Sequence, residues 1–255
     1  MLLLPLLLGM EPGRPHLSQG RYRLAAASAR RALEQTDEAS HHATLGNALA
    51  RMSRCDEAIQ HHEAAAGDPF YERYGVVLHA DCLRTLGFPG QAIALREGQE
   101  VSSRRQTSLA QDHLAQGDLN AAHAALDLGL AWSPYSADLE GMRARLYLAE
   151  GDLEAAEASA WLAQTMGPSL HTAIARIDLE DDPMGKLERA HAAREYWPWN
   201  PELYARHVQA WRALGFEDLG CNMANMRGQS FSDHPALLDA ATGCPTSGDT
   251  PPPSP

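Results

Sequence analysis

Lysine is nearly absent from this sequence. Lys186 is the only one, so the other positive charges among the 21 Lys and Arg are arginines. Carboxylates outnumber them, giving a net charge of −12. That balance excludes a general affinity for nucleic acid or anionic lipid, whose phosphates would be repelled. Cysteine is scarce as well. Cys55, Cys82, Cys221 and Cys244 form no Cys-x-x-Cys pair, which argues against a zinc ribbon or a thioredoxin-like motif. Four in 255 residues is too sparse for a disulfide framework, and the expectation is free thiols, buried or partly buried. No apolar run reaches membrane-spanning length. The leucine-rich residues 2–8 resemble the apolar part of a secretory signal, but no basic residue precedes them and no Ala-x-Ala site follows. The expectation is a cytoplasmic chain with an apolar, proline-containing arm over residues 1–19, and export to the periplasm is the alternative. Catalytic motifs are missing too: there is no Gly-rich phosphate loop, no Gly-x-Ser-x-Gly, and Lys186 has no Walker context. His79, Asp81 and Cys82 stand close in the text but do not converge on a helix. No enzymatic activity, cofactor or metal is expected.

What the chain does have is alanine and a repeat. Gly117-Asp-Leu-Asn-Ala-Ala-His-Ala matches Gly151-Asp-Leu-Glu-Ala-Ala-Glu-Ala at six of eight positions, offset by 34 residues. Pro134 and Pro168 share that offset, as do Ala58-Ile59 with Ala92-Ile93 and Glu63 with Glu97. The period has a physical reading. Gly117 and Gly151 fall where a positive φ ends one helix. Asp118 and Asp152 then stand where an N-cap acceptor is wanted. Ala122 and Ala156 come where the second helix must touch the first. The prolines close the second helix. Tyr204, Val208 and Trp211 mark one face of a first helix, and Ser53 replaces a turn glycine.

These residues resemble the tetratricopeptide repeat, with its small, large and proline positions on Ala122, Leu126 and Pro134, then on Ala156, Ala160 and Pro168. Ala160 departs from the pattern by being small. The resemblance implies an all-α, right-handed α-solenoid of antiparallel helix pairs over residues 20–241. About six units follow a half-unit at 20–32, over 38–69, 70–99, 101–134, 135–168, 169–199 and 200–228. Gly87 to Gly117 and Gly185 to Gly215 are only 30 apart, and Asp181-Asp182-Pro183 shortens a first helix, so kinks are expected there. A cap helix is expected over 235–241. Residues 242–255 are rich in Pro, Ser, Gly and Thr and read as a disordered tail.

The resemblance further implies a scaffold or adaptor that binds another protein in a concave groove lined by the first helices. Helix projection places Asn47, Arg51, Arg84, Arg104, Gln111, Arg145, Arg176, Arg206, Gln209 and Arg212 on that face. Guanidinium forks there would select an acidic segment or a C-terminal carboxylate. The lysines of the family's two-carboxylate clamp are absent, so a chaperone cofactor is not expected. The acidic residues Glu154, Glu157, Glu180, Asp181 and Asp182 crowd the second helices and loops. His42 and His62, on the two helices of one unit, could face each other and hold a transition metal with Asp56 or Glu63, but paired surface or interface histidines without metal are the expectation. The aromatic stretch Tyr196-Trp197-Pro198-Trp199 reads as packing at a helix end. An exported or membrane-associated assembly factor of an envelope complex, and a regulatory subunit for an enzyme or transcription factor, are the alternative roles.

Overall fold

The computed structural model of the 255-residue chain describes residues 12–198, 200–228 and 234–245. They are helical, and no strand occurs among them. The chain divides into two compact units, Met1–Gly98 and Gln99–Pro255.

In the first unit a single turn, α1 (Arg14–Ser18), precedes α2 (Tyr22–Leu33). Two hairpins follow: α3 (Ala39–Arg51) with α4 (Cys55–Ala64), then α5 (Val76–Thr85) with α6 (Pro89–Glu97). A π-helical turn, Tyr71–Gly75, runs directly into α5. Ser53 is the one non-glycine residue with positive φ (57°) among the described residues, at the turn where a glycine was missing. Gly46 is demanded by close approach, because a Cβ there would lie 2.5 Å from the His62 ring.

The second unit holds α7 (Ser103–Gln116) with α8 (Leu119–Trp132), α9 (Ala137–Glu150) with α10 (Leu153–Met166), and α11 (Leu170–Leu179) with α12 (Pro183–Tyr196). After these come α13 (Pro201–Ala213), α14 (Glu217–Gly228) and the terminal α15 (Pro235–Ala240), which packs on α13 and α14. Gly117 (φ 82°) and Gly151 (φ 80°) are left-handed, as the repeat requires. Asp118 and Asp152 accept the backbone N–H of Ala121 and Ala155 at 2.9 and 3.0 Å. Ala122, Ala156 and Ala160 are sealed between helices, and the interior is completed by Leu126, Leu139, Met142 and Leu146. Each of those large side chains contributes roughly 2 kcal/mol by leaving water.

Four expectations are corrected. The cysteines are not free: Cys55 bridges Cys82, and Cys221 bridges Cys244. The partners are 27 and 23 residues apart in sequence and meet only through helix packing, which spacing in the text does not reveal. Gly185 is not a turn glycine. It lies inside α12, where its N–H is capped by Asp182 at 2.8 Å. The arm at 1–19 contains α1, and Gly13 packs against the backbone of Ala25. The tail does not begin at 242: Cys244 is bridged and the Pro245 carbonyl accepts from Asn225 at 3.1 Å. Residues 1–11, Trp199 and 246–255, including the leucine run and the rest of the tail, lie outside the described residues.

Candidate functional site

A local shortening builds a cleft in the second unit. Helix α9 has 14 residues, whereas its counterpart α11 has 10. The difference is one turn, about 6 Å of rise. Pro183 is the reason. It holds Asp182 in an extended conformation (φ −73°, ψ 122°), so α11 stops and α12 starts anew. The N-terminal half of α10 is thereby left uncovered. Leu153 is 62% exposed there, while the equivalent Leu119 of α8, beside the full-length α9, is half-buried. The resulting cleft measures about 990 Å³ and lies between α10, the end of α11 and Arg189 of α12.

Its walls carry five carboxylates, Glu154, Glu157, Asp178, Glu180 and Asp181, against the guanidiniums of Arg176 and Arg189. Some of these charges are spent internally. Arg189 donates to Glu180 at 3.0 Å and, with the Asp182 backbone N–H, holds that carboxyl below its ordinary range. Asp178 takes both arms of Arg206 at 2.7 and 2.6 Å. Arg176 donates to Gln164. Glu154, Glu157 and Asp181 make no ion pair or side-chain hydrogen bond among the described residues. Beside them Trp161, 63% exposed, presents its indole to the cleft. Nothing in the repeat reading singled out Trp161. The signal was available, because the residue 34 positions earlier is the charged Asp127.

The residues assigned to the first-helix face fare differently. In the first unit Asn47 is not at a surface but only 3% exposed, accepting from His62 Nε2 at 3.0 Å. Arg84 donates to Asp81 at 3.2 Å, and Arg51 is exposed. In the second unit Arg104 and Gln209 are exposed and Gln111 is half-buried. Arg145 and Arg206 converge on Glu202 at 2.9 and 3.6 Å, and Arg145 also contacts His171 Nδ1 at 3.0 Å. Arg212 is held by Glu217 at 2.6 Å and donates to the Ala240 carbonyl at 2.9 Å. Most of the guanidiniums in that set therefore already have partners inside the fold.

The histidines of α3 and α4 pair otherwise than expected. His42 meets His61, with Nδ1 atoms 2.8 Å apart, and its Nε2 reaches Asp37 at 2.7 Å. His62 is fully buried, with its ring tilted against those of His79 and Tyr71. Burial, then the nearby His79 and His61, press its pKa down to about 3.

No family profile matches the sequence, and no curated protein matches it. Solved structures do match. A tetratricopeptide repeat protein from Parabacteroides merdae ATCC 43184 superposes with a TM-score of 0.57 at 16% identity, over 90% of this chain and 94% of that one. The fold is that of a tetratricopeptide-repeat protein. A chain of the APC/C hetero-tetramer Cut9-Hcn1 matches with a TM-score of 0.52 at 12% identity, over 87% of this chain and 48% of that one. The present tetratricopeptide-like chain thus spans about half the length of that relative. Within such hairpin arrays the shortened α11 is the local irregularity that opens a cleft.

Proposed function

We propose that this chain is a protein-interaction scaffold whose second unit holds a basic segment of a partner in the cleft between α10, α11 and α12. The observation that carries this reading is the exposed indole of Trp161 beside the unpaired Glu154, Glu157 and Asp181. An arginine or lysine from a partner would find an aromatic face and free carboxylates together. Tryptophan is also the side chain most enriched at binding hot spots. The direction of charge is opposite to the acidic partner suggested by the arginines, since Arg145, Arg206 and Arg212 are engaged internally. An Arg- and Lys-rich peptide and an acidic peptide of equal length, titrated against tryptophan fluorescence, test the reading. The basic peptide should bind with salt-sensitive affinity. Trp161→Ala and Glu157→Lys should each weaken it by about tenfold, or 1.4 kcal/mol. Preference for the acidic peptide would reverse the assignment, and equal indifference to both would remove the cleft from consideration.

The exported reading also gains a specific support. Disulfides persist in oxidising compartments and are rare in the cytosol, and here all four cysteines are bridged. We therefore favour an exported scaffold over a cytoplasmic one. Alkylation and intact mass of the native chain test it: four reactive thiols in protein isolated without reductant would return the chain to the cytoplasm.

A further inference from the structure

The hairpin of α3 and α4 brings two imidazoles together in an arrangement that the scaffold role does not use. His42 stands on α3 and His61 on α4, with their Nδ1 atoms 2.8 Å apart. The outer nitrogen of His42 is 2.7 Å from Asp37 Oδ1. A carboxylate only accepts, so His42 Nε2 must carry a proton and, in the neutral ring, His42 Nδ1 is a lone pair. The facing Nδ1 of His61 then supplies the one proton between the rings. We propose that this pair is a two-histidine site for a divalent transition metal of the Cu²⁺ or Ni²⁺ kind, with Asp37 as the residue that positions His42.

The donor set points to the metal class: neutral imidazoles with water suit Cu²⁺ and Ni²⁺, and Cu²⁺ stands at the top of the divalent affinity order. The rings now meet nearly head-on, with centroids 5.0 Å apart and planes at 32°, so each must swing on its side-chain torsions to aim at a shared metal. His61 is half-buried and the His42 side chain is 17% exposed, so solvent reaches the pair and can complete the coordination. The proton balance is simple: the proton on His61 Nδ1 moves to its Nε2, the ring stays neutral, and both Nδ1 lone pairs face the metal. Of the surrounding charges, Asp37 favours a cation, whereas the Glu57 carboxylate is already paired with Arg30 and Arg54. The Asp37 contact is the carboxylate–histidine support that metal-binding histidines typically use. No third His, Cys, Asp or Glu joins the pair among the described residues, so the protein supplies two ligands and solvent the rest. With every cysteine bridged, no thiolate competes.

Titration of the full chain with glycine-buffered Cu²⁺, followed by electron paramagnetic resonance, tests the site. One Cu²⁺ per chain with two coupled imidazole nitrogens is expected. His61→Asn should lower affinity at least tenfold and leave one coupled nitrogen. Asp37→Asn should weaken binding by about 10- to 100-fold, and because Asp37 is 86% exposed that variant folds as the parent does. His123→Ala, at the separate His123–Glu150 contact, should change nothing. Unchanged affinity and nitrogen couplings in His61→Asn or Asp37→Asn, or no complex below about 100 μM Cu²⁺ (roughly −5.5 kcal/mol), would overturn the proposal and leave the pair as a shared-proton hydrogen bond.

Discussion

The two units end their helices by different means. From α7 to α13, every helix has a side-chain cap at its N-terminus, from Ser102, Asp118, Ser136, Asp152, Ser169, Asp182 and Asn200 in turn. From α1 to α6, none does. The first unit carries the Cys55–Cys82 bridge, the buried His41, His62 and His79, and Arg96, which is 1% exposed and bonded to Asp81 at 2.5 Å, while the second unit's own bridge, Cys221–Cys244, and its buried His207 lie at α13 and beyond. The second unit writes its helix boundaries into local sequence, and the first relies on contacts that only packing creates. The difference teaches where each unit is vulnerable. All five tryptophans lie beyond residue 131, so tryptophan fluorescence reports the second unit while circular dichroism reports both.

Ala156→Arg is the most damaging way to break the regular unit. Ala156 is fully buried on α10, which packs against α9. Overpacking and an uncompensated charge should cost about 4 kcal/mol, seen as early loss of the fluorescence transition. A parent-like melt would mean that α9 and α10 do not meet there. For the first unit the matching blow is Cys82→Ala. Opening a bridge between residues 27 apart removes about 3 kcal/mol, and the circular dichroism should then show a transition preceding the fluorescence one.

Acid should separate the units next. Burial and neighbouring imidazoles depress His62 to about 3, and burial lowers His79 and His61 as well. A neutral base whose folded pKa is depressed stabilises the fold above its unfolded value near 6.5. That stability is lost as pH falls from 6.5 toward the folded pKa. His62 alone should remove about 2 kcal/mol by pH 5. The second unit has His207, pressed to about 4 by burial, Arg194 and His191, and should lose less. Circular dichroism melts from pH 7 to 5 should therefore fall faster than fluorescence melts, and His62→Gln should narrow the gap. The smallest effect belongs to a single cap. Asp152→Ala removes the bond to the Ala155 N–H and should cost about 1 kcal/mol, confined to the fluorescence transition.

Much of the second unit was legible beforehand because its signals are local. Gly117, Asp118, Ala122 and Pro134 each act on backbone within one turn of themselves, so their 34-residue echo is also a structural echo. The candidate cleft was half legible. Asp181-Asp182-Pro183 announced a shortened helix, but that the lost turn would bare Trp161 depended on the helix packed opposite. The arginines illustrate the limit. Projection onto a helix finds the face of Arg145 or Arg206, yet not that Glu202 and Asp178 lie waiting on neighbouring helices.

By itself the sequence determined where helices start and stop, which small residues lie between them, and that the pieces stack as hairpins, because each of those outcomes rests on neighbours within a few positions. Tertiary structure alone decided that Cys55 meets Cys82, that His42 chooses His61 rather than His62, and that a cleft opens beside α10. Those outcomes depend on the rotation of one helix against another, and a rotation of a few tens of degrees exchanges one side chain for the next.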